Sequence, residues 1–465
     1  MKDYDLIVIG TGAGMNVAAR ARAAGLRVAI VEDGPLGGTC LNRGCIPSKV
    51  LIEPATLVRE IEEGRRIGVS AKVEKVDFEL VQKRMWEIVL NDRGNMEKGV
   101  ASDTGVDFYN VLAHFVGMMT LQVGQEVIRA PKVMIACGVR TWVPKIPGLE
   151  EAKYLTSETV FDIAGPPKRL AIVGGGYKAC EFAHFFSAFG TDVTIIGRNP
   201  ILLPKEEAEV SELVLDKLSR FVLIYLNQEI LEVKQGPTGK LIIFRNRTTN
   251  ETKQEEVDEI LVTTGVQSNA DRLAVEATGV AKDANGFIAV NEYLETSTPG
   301  VWAFGDVIGH HMFRHTANYH SDVAWFNAFG KTKVKLDEHA VPHAVFTYPE
   351  VAGVGMTEAE VRAKGRRFFI GFNLFKNCAK GFAMGDEDSF VKVIVDAESL
   401  RILGASIAGP HASILIQPLV YLMNCGDGSY TPIARSQVIH PALSEAVVGA
   451  FGNLMDPEHH HDQAK

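Results

Sequence analysis

The chain opens on a short apolar run, "YDLIVIG", which ends in a glycine turn, "GTGAGM", and passes through a helix-like "NVAARARAAG" into a second apolar run, "RVAIVE". Short, continuous apolar runs bounded by glycine read as buried strands, and the pattern predicts a strand, helix and parallel strand. The same order recurs in "RLAIVGGGYKACEFAHFFSAFGTDVTIIGRNP". From about Arg366 the pattern changes to "RRFFIGFNLF", "SFVKVIVD" and "RILGASIAG", whose alternation predicts antiparallel strands and a closing α+β domain.

The glycines of the first turn give that unit a chemical meaning. Gly10 and Gly12 permit a tight turn and close approach of a pyrophosphate to the positive end of the helix. Glu32 ends the second strand, where a carboxylate accepts ribose hydroxyls. The sixth motif position holds Met15 rather than glycine, so helix and strand should pack less closely there, with Gly14 compensating. In the second unit Gly174, Gly176 and Ala179 fill G-x-G-x-x-A. One such turn is a weak signal, but two in full strand-helix-strand context predict sites for two different dinucleotides.

The second unit ends in Gly197 and Arg198 where an acid would select an unphosphorylated ribose. Arginine attracts a 2'-phosphate and forks onto it, which favours NADPH over NADH. The alternative is that Arg198 is a solvated loop residue and Glu181 or a backbone group meets the ribose. In "TPGVWAFGDVIG" a strand ends in Gly305-Asp306, a carboxylate placed either to hydrogen-bond a cofactor or merely to close a loop.

Composition removes other classes. A length of 465 residues suggests about three domains, and a net charge of −9 with interleaved basic residues gives no reason to expect nucleic acid or an anionic membrane. Small molecules and copies of the chain are the expected partners. The N-terminus reads as a strand rather than a signal peptide, and the nearest approach to a membrane span, Ile414 to Met423, is short and carries Gln417 and Pro418. A cytoplasmic protein is expected. The polar tail "DPEHHHDQAK" is expected to be disordered, its histidines solvated rather than metal-binding.

Six cysteines make no disulfide scaffold in a chain of this size, and a close pair is more readily catalytic or metal-binding. Cys40 and Cys45 form such a pair in "GGTCLNRGCIPSK". Residues five apart rise ~7.5 Å along a regular helix, so a bond between them requires an irregular turn, which Gly37, Gly38 and Gly44 allow. Pro47 suits the helix start that follows, whose positive end would lower a thiolate's pKa. A zinc site would need further ligands, and none with suitable spacing lies nearby. Spacing alone leaves two structural thiols open. Far along the chain, "HPALSE" places His440 before Pro441, which can open a helix whose first turn holds Glu445, able to orient the imidazole as a general base.

Together these motifs resemble the flavin-dependent pyridine nucleotide-disulfide oxidoreductases, over nearly the whole chain. The resemblance implies an α/β fold with two Rossmann-like dinucleotide-binding domains, for FAD and NAD(P), plus a C-terminal α+β dimerisation domain. The expected division is an FAD domain over 1–150 and 271–338, an NAD(P)H domain over 151–270, an interface domain over 339–455 and a tail over 456–465.

By resemblance, Cys45 is the flavin-proximal sulfur and Cys40 the interchange thiol of a redox-active disulfide. His440, donated by the partner subunit, shuttles the proton, Glu445 orients it, Lys49 and Glu181 pair near the flavin, and Tyr177 gates the nicotinamide pocket. FAD would be held by Gly10, Gly12, Gly14, Glu32, Gly38, Thr39, Gly138, Gly305 and Asp306. Gly174, Gly176, Tyr177, Ala179, Arg198 and Gly265 would hold NADPH, with NADH possible, and no metal is expected. The motifs favour NADPH-linked reduction of a low-molecular-weight disulfide, as in mycothione or glutathione reductase. The alternatives are an NAD-linked dihydrolipoamide dehydrogenase, a mercuric reductase-like enzyme, which the absence of vicinal C-terminal cysteines disfavours, or a non-catalytic flavoprotein. Departures stand at Cys137 and Val266, and Arg43 inside the cysteine loop could attract an anionic substrate.

Overall fold

A computed structural model describes residues 1–463. The strand Leu6–Ile9 sits at the centre of a five-stranded parallel sheet, in the order Val301–Ala303, Val133–Ile135, Leu6–Ile9, Val28–Glu32, Val106–Asn110. All four residues of Leu6–Ile9 are buried, as a parallel strand covered on both faces must be. The 301–303 strand returns from beyond the second nucleotide unit to pair with Val133–Ile135. One continuous core joins Leu6, Val17 and Ile30 to Leu273, Phe304 and Val323.

The second unit repeats the design. Its parallel sheet runs Leu155–Thr156, Glu259–Val262, Arg169–Val173, Asp192–Ile196, Leu223–Tyr225. A three-stranded antiparallel sheet spanning Gln228–Val257 is appended to it. The C-terminal region is a six-stranded sheet in which every described neighbour pair is antiparallel: Pro342–Val345, Val351–Gly355, Ile402–Ala408, Phe390–Asp396, Phe368–Leu374 and Leu454–Met455. No helix among the described residues is long and apolar enough to cross a membrane.

The tail departs from expectation. Instead of disorder, Pro457–Gln463 forms a helix, and His460 is buried with its ring 5.4 Å from that of Phe372 and Nε2 3.7 Å from Glu209. The short strand Leu454–Met455 pairs with Phe368–Leu374 and delivers the tail onto the sheet, where an aromatic face and a carboxylate receive the imidazole. Residues 464 and 465 lie outside the described residues.

Candidate active site

The cysteine loop is shaped by its glycines and by one asparagine. The helix Gly38–Arg43 ends at Gly44, and a second helix, Cys45–Glu63, starts at once, so the chain breaks its regular rise between the two thiols. A Cβ on Gly44 would lie 2.8 Å from Thr39 O and 3.2 Å from Cys40 Cα, so only glycine lets the turns close this far. Asn42, buried, donates to Leu36 O at 2.9 Å and Gly38 O at 3.0 Å and accepts from Arg93 at 2.8 Å, clamping the loop from inside.

The two free thiols meet: the Cys40 thiol donates to the sulfur of Cys45. That hydrogen bond lowers Cys45 to about 7, helped by the Lys49 ammonium, while Cys40 is pushed well above an ordinary thiol for the same reason. A stabilised thiolate at Cys45 and a protonated Cys40 follow.

Lys49, one helical turn past Cys45, is fixed by Glu181, whose oxygens both lie 2.9 Å from Nζ. Glu181 also accepts from Phe346 N–H at 2.9 Å, and the ammonium rests 4.5 Å from the Phe346 ring centroid. The pair forms because the helix Cys45–Glu63 packs on the helix Tyr177–Ala188 through a core that includes Leu51, Ile52, Phe182 and Phe186. Three regions of the chain therefore converge on one ion pair.

The first glycine turn fits a dinucleotide. Gly10 has φ +99°, and a Cβ there would strike Ala136 O at 2.2 Å; Gly38, at φ +65°, would strike Gly12 Cα at 2.8 Å. At Gly12 the space is open, the nearest atom to a Cβ being Arg314 Nη1 at 3.6 Å. Gly14 does the packing that Met15 cannot: a Cβ on it would lie 2.8 Å from Val8 Cγ1. Glu32 accepts from Thr11 N–H at 2.9 Å, Thr11 Oγ1 at 2.6 Å and Gly34 N–H at 3.0 Å, and lines a cleft with Gly10, Cys137 and Arg272. Thr39 follows Gly38 on the cysteine-loop helix. Gly138, at φ +66°, begins the crossing toward the second unit, its carbonyl accepting from Asn269 N–H.

After the strand Val301–Ala303, the Asp306 carboxylate makes no hydrogen bond among the described residues, and burial raises it above the usual carboxylate range. An acceptor held without a donor suits a hydroxyl-bearing ligand. Gly305 N–H donates to Nδ1 of the fully buried His320 at 3.3 Å, and His320 Nε2 lies 2.9 Å from Glu338. Burial opposes the charge on Glu338, but donation from His310 and His320 outweighs it and lowers the carboxyl to about 2. His320 and Arg314 were not singled out in the sequence. They lie in "MFRHTANYHSDVAW", which has no turn motif, and only the fold brings Arg314 near Gly12 and His320 to Gly305.

The second glycine turn is equally constrained: Gly174, at φ +133°, would strike Thr263 Oγ1 at 2.5 Å, and Ala179 is fully buried under the helix. Gly176 faces open space. Arg198 is exposed just past the end of its strand, and its carbonyl accepts from the Arg247 guanidinium at 3.3 Å. Gly265, at φ +118°, turns the chain where its carbonyl accepts from Trp142 N–H at 3.0 Å.

His440 Nδ1 lies 2.8 Å from Glu445, which also accepts from Ala442 N–H at 3.0 Å and is held below the usual carboxylate range by His440. Pro441 does not open the helix as expected: the helix starts at Ser444, and residues 441–443 form a turn that brings Glu445 back under the ring. The His440 side chain is 71% exposed, and no described hydrogen bond joins it to either active-loop cysteine of its own chain. Arg43 lies 3.8 Å from Glu158 rather than standing free.

Residues 4–321 match the family model for pyridine nucleotide-disulphide oxidoreductases, and residues 341–451 match the dimerisation domain of the same family. The chain is 34% identical to mycothione reductase of Mycobacterium tuberculosis, over 98% of this chain and 100% of that one. It is 31% identical to dihydrolipoyl dehydrogenase of Chlamydia pneumoniae, over 98% of each. The HOCl-induced flavoprotein disulfide reductase RclA of Escherichia coli, in its Cu(II) complex, superposes with a TM-score of 0.86 at 28% identity, covering 97% of this chain and 99% of that one. With the thiol pair, two glycine turns and an interface sheet in place, the chain belongs to the pyridine nucleotide-disulphide oxidoreductases, enzymes that work with FAD and NAD(P)H and carry a dimerisation domain.

Proposed function

We propose that the chain is an NADPH-dependent reductase of a low-molecular-weight disulfide, acting through Cys40 and Cys45 in a homodimer. The observation that carries this reading is the arrangement of the thiols: Cys40 and Cys45 flank the helix break at Gly44, and the Lys49 ammonium, fixed by Glu181, stands one turn past Cys45. FAD, when bound, supplies the transfer of two electrons from a hydride donor to the disulfide. Gly10, Gly12, Gly14, Glu32, Gly38, Thr39, Gly138, Gly305 and Asp306 would hold it.

In the reduced site, Cys40 attacks one sulfur of the substrate disulfide. A base must first take the Cys40 proton, because the neighbouring thiolate holds it. The partner subunit's His440 is suited to that task, being exposed here and oriented by Glu445. The first thiolate product leaves with that proton. Cys45 then attacks Cys40, releases the second thiolate, which takes a proton from solvent, and closes the Cys40–Cys45 disulfide. Two electrons and two protons have then converted one disulfide into two thiols.

Arg198, exposed and with the Arg247 guanidinium at its carbonyl, favours the phosphorylated coenzyme, since a guanidinium attracts the 2'-phosphate that an acid at the strand end would repel. Likeness to mycothione reductase favours a small thiol as the substrate over a protein-bound lipoyl group, and a cytoplasmic setting suits such chemistry. Steady-state rates with NADPH and NADH against a panel of small disulfides and lipoamide test the reading. We expect NADPH to be preferred, and Arg198→Glu to lower kcat/KM for NADPH by roughly 10- to 100-fold while sparing NADH. Efficient NAD-linked oxidation of dihydrolipoamide, with NADPH inert, would overturn it.

A further inference from the structure

Three residues from separate elements meet beside the second glycine turn. Tyr177 is the first residue of its helix, Glu206 lies on the loop after the strand Asp192–Ile196, and His343 stands on the strand Pro342–Val345 of the C-terminal sheet. Tyr177 donates its hydroxyl to Glu206 Oε1 at 2.5 Å, and His343 Nε2 lies 2.9 and 3.0 Å from the two carboxylate oxygens. The Glu206 side chain is 2% exposed, so these two donors are what keep a buried carboxylate tolerable.

The imidazole is held on its other sides as well. It stacks on Tyr177, with centroids 5.8 Å apart and planes 9° apart, and on Phe313 at 5.9 Å and 13°. Across the sheet His343 pairs with Gly353, where a Cβ would lie 2.6 Å from the ring. The space above Gly353 is therefore a seat for this imidazole. None of this is needed to build a strand or a helix start.

The position of the group is informative. A dinucleotide whose pyrophosphate rests on the Gly174–Gly176 turn sends its adenosine end toward Arg198. Its other end must run past the first turn of the helix toward Lys49 and Glu181. Tyr177 and Glu181 lie one turn apart on the same helix face, which places Tyr177 beside that path.

We propose that Glu206, braced by His343, latches Tyr177 across the route to the Lys49–Glu181 site, so that the nicotinamide half of the nucleotide must break the Tyr177–Glu206 hydrogen bond to enter. The inference rests on the NADPH reading above. Glu206 and His343 are positioning residues: they act on the coenzyme through Tyr177, setting the fraction of open sites and thereby the apparent affinity for the nicotinamide half alone.

The test uses the oxidised holoenzyme and calorimetric Kd values for NADP⁺ and for 2',5'-ADP, which carries the adenosine half and never meets the latch. In Tyr177→Phe, NADP⁺ should tighten about 10-fold, the scale of one hydrogen bond to a charged acceptor, while 2',5'-ADP stays unchanged. His343→Asn should shift the same ratio in the same direction by a smaller factor. An unchanged or weakened ratio in both variants would overturn the latch. Should 2',5'-ADP fail to bind the wild-type enzyme, the NADPH reading falls instead. The ratio taken with NAD⁺ and ADP then decides the latch on its own, tightening in both variants supporting it and no change overturning it.

Discussion

At the scale of single residues, reactivity here is a matter of which sulfur holds a proton. Cys45 is lowered from 9.0 to about 7 by the Cys40 thiol and then by Lys49, so its thiolate dominates above pH about 7 and is lost by protonation below it. Lys49 also neutralises Glu181, whose charge pushes Cys45 the other way. Lys49→Met removes the favourable charge and unmasks the unfavourable one, so the Cys45 midpoint should rise by about one unit or more. The pH titration of ultraviolet thiolate absorbance in the reduced enzyme measures it. A midpoint unmoved in the variant would mean that the hydrogen bond from Cys40 acts alone.

At the scale of elements, the strand-helix-strand units were legible because their signals are local. Apolar runs bounded by glycines specify buried parallel strands, and both nucleotide turns stand where the glycines put them. The substitution of Met15 for a glycine was also legible, since Gly14 supplies the close approach to Val8. Gly14→Ala should therefore cost about 1–3 kcal/mol through overpacking, read as a lower Tm and weaker flavin retention. A wild-type Tm in that variant would show that the strand and helix have room to part. What local signals could not reveal were contacts made by distant segments. Asn42, Arg314, His320, Glu206 and His343 are ordinary in sequence, and the tail looked too polar to fold until the sheet offered His460 a place beside Phe372.

At the scale of the whole molecule, a buried lysine fastens the second nucleotide unit to the interface sheet. Lys392, 1% exposed, lies 3.0 Å from Glu207, 2.8 Å from Glu209 and 2.8 Å from Glu358. Glu207 and Glu209 sit at the start of the helix Ala208–Leu218, next to Glu206, so the same few residues serve both the domain junction and the Tyr177 contact. Removing one member of such a cluster leaves buried charge uncompensated, and Lys392→Met should destabilise by about 3–5 kcal/mol. Thermal unfolding checks this against Lys376→Ala, which removes an exposed partner of Glu387 and should change little. Equal Tm values for the two variants would contradict the junction's role. On the same scale, the exposed His440 and the exposed apolar side chains Ile414, Tyr421 and Ile439 belong to the region that matches the dimerisation domain.

The central claim is that Cys40 and Cys45 exchange electrons with the coenzyme as a pair. Differential alkylation of the holoenzyme, with each cysteine quantified by peptide mass spectrometry before and after one equivalent of NADPH under anaerobic conditions, tests it most directly. Both cysteines should be protected as a Cys40–Cys45 disulfide in the oxidised enzyme and become alkylatable together after NADPH, while the exposed Cys425 reacts equally in both states. Free Cys40 and Cys45 in the oxidised enzyme, with labelling unchanged by NADPH, would contradict the account.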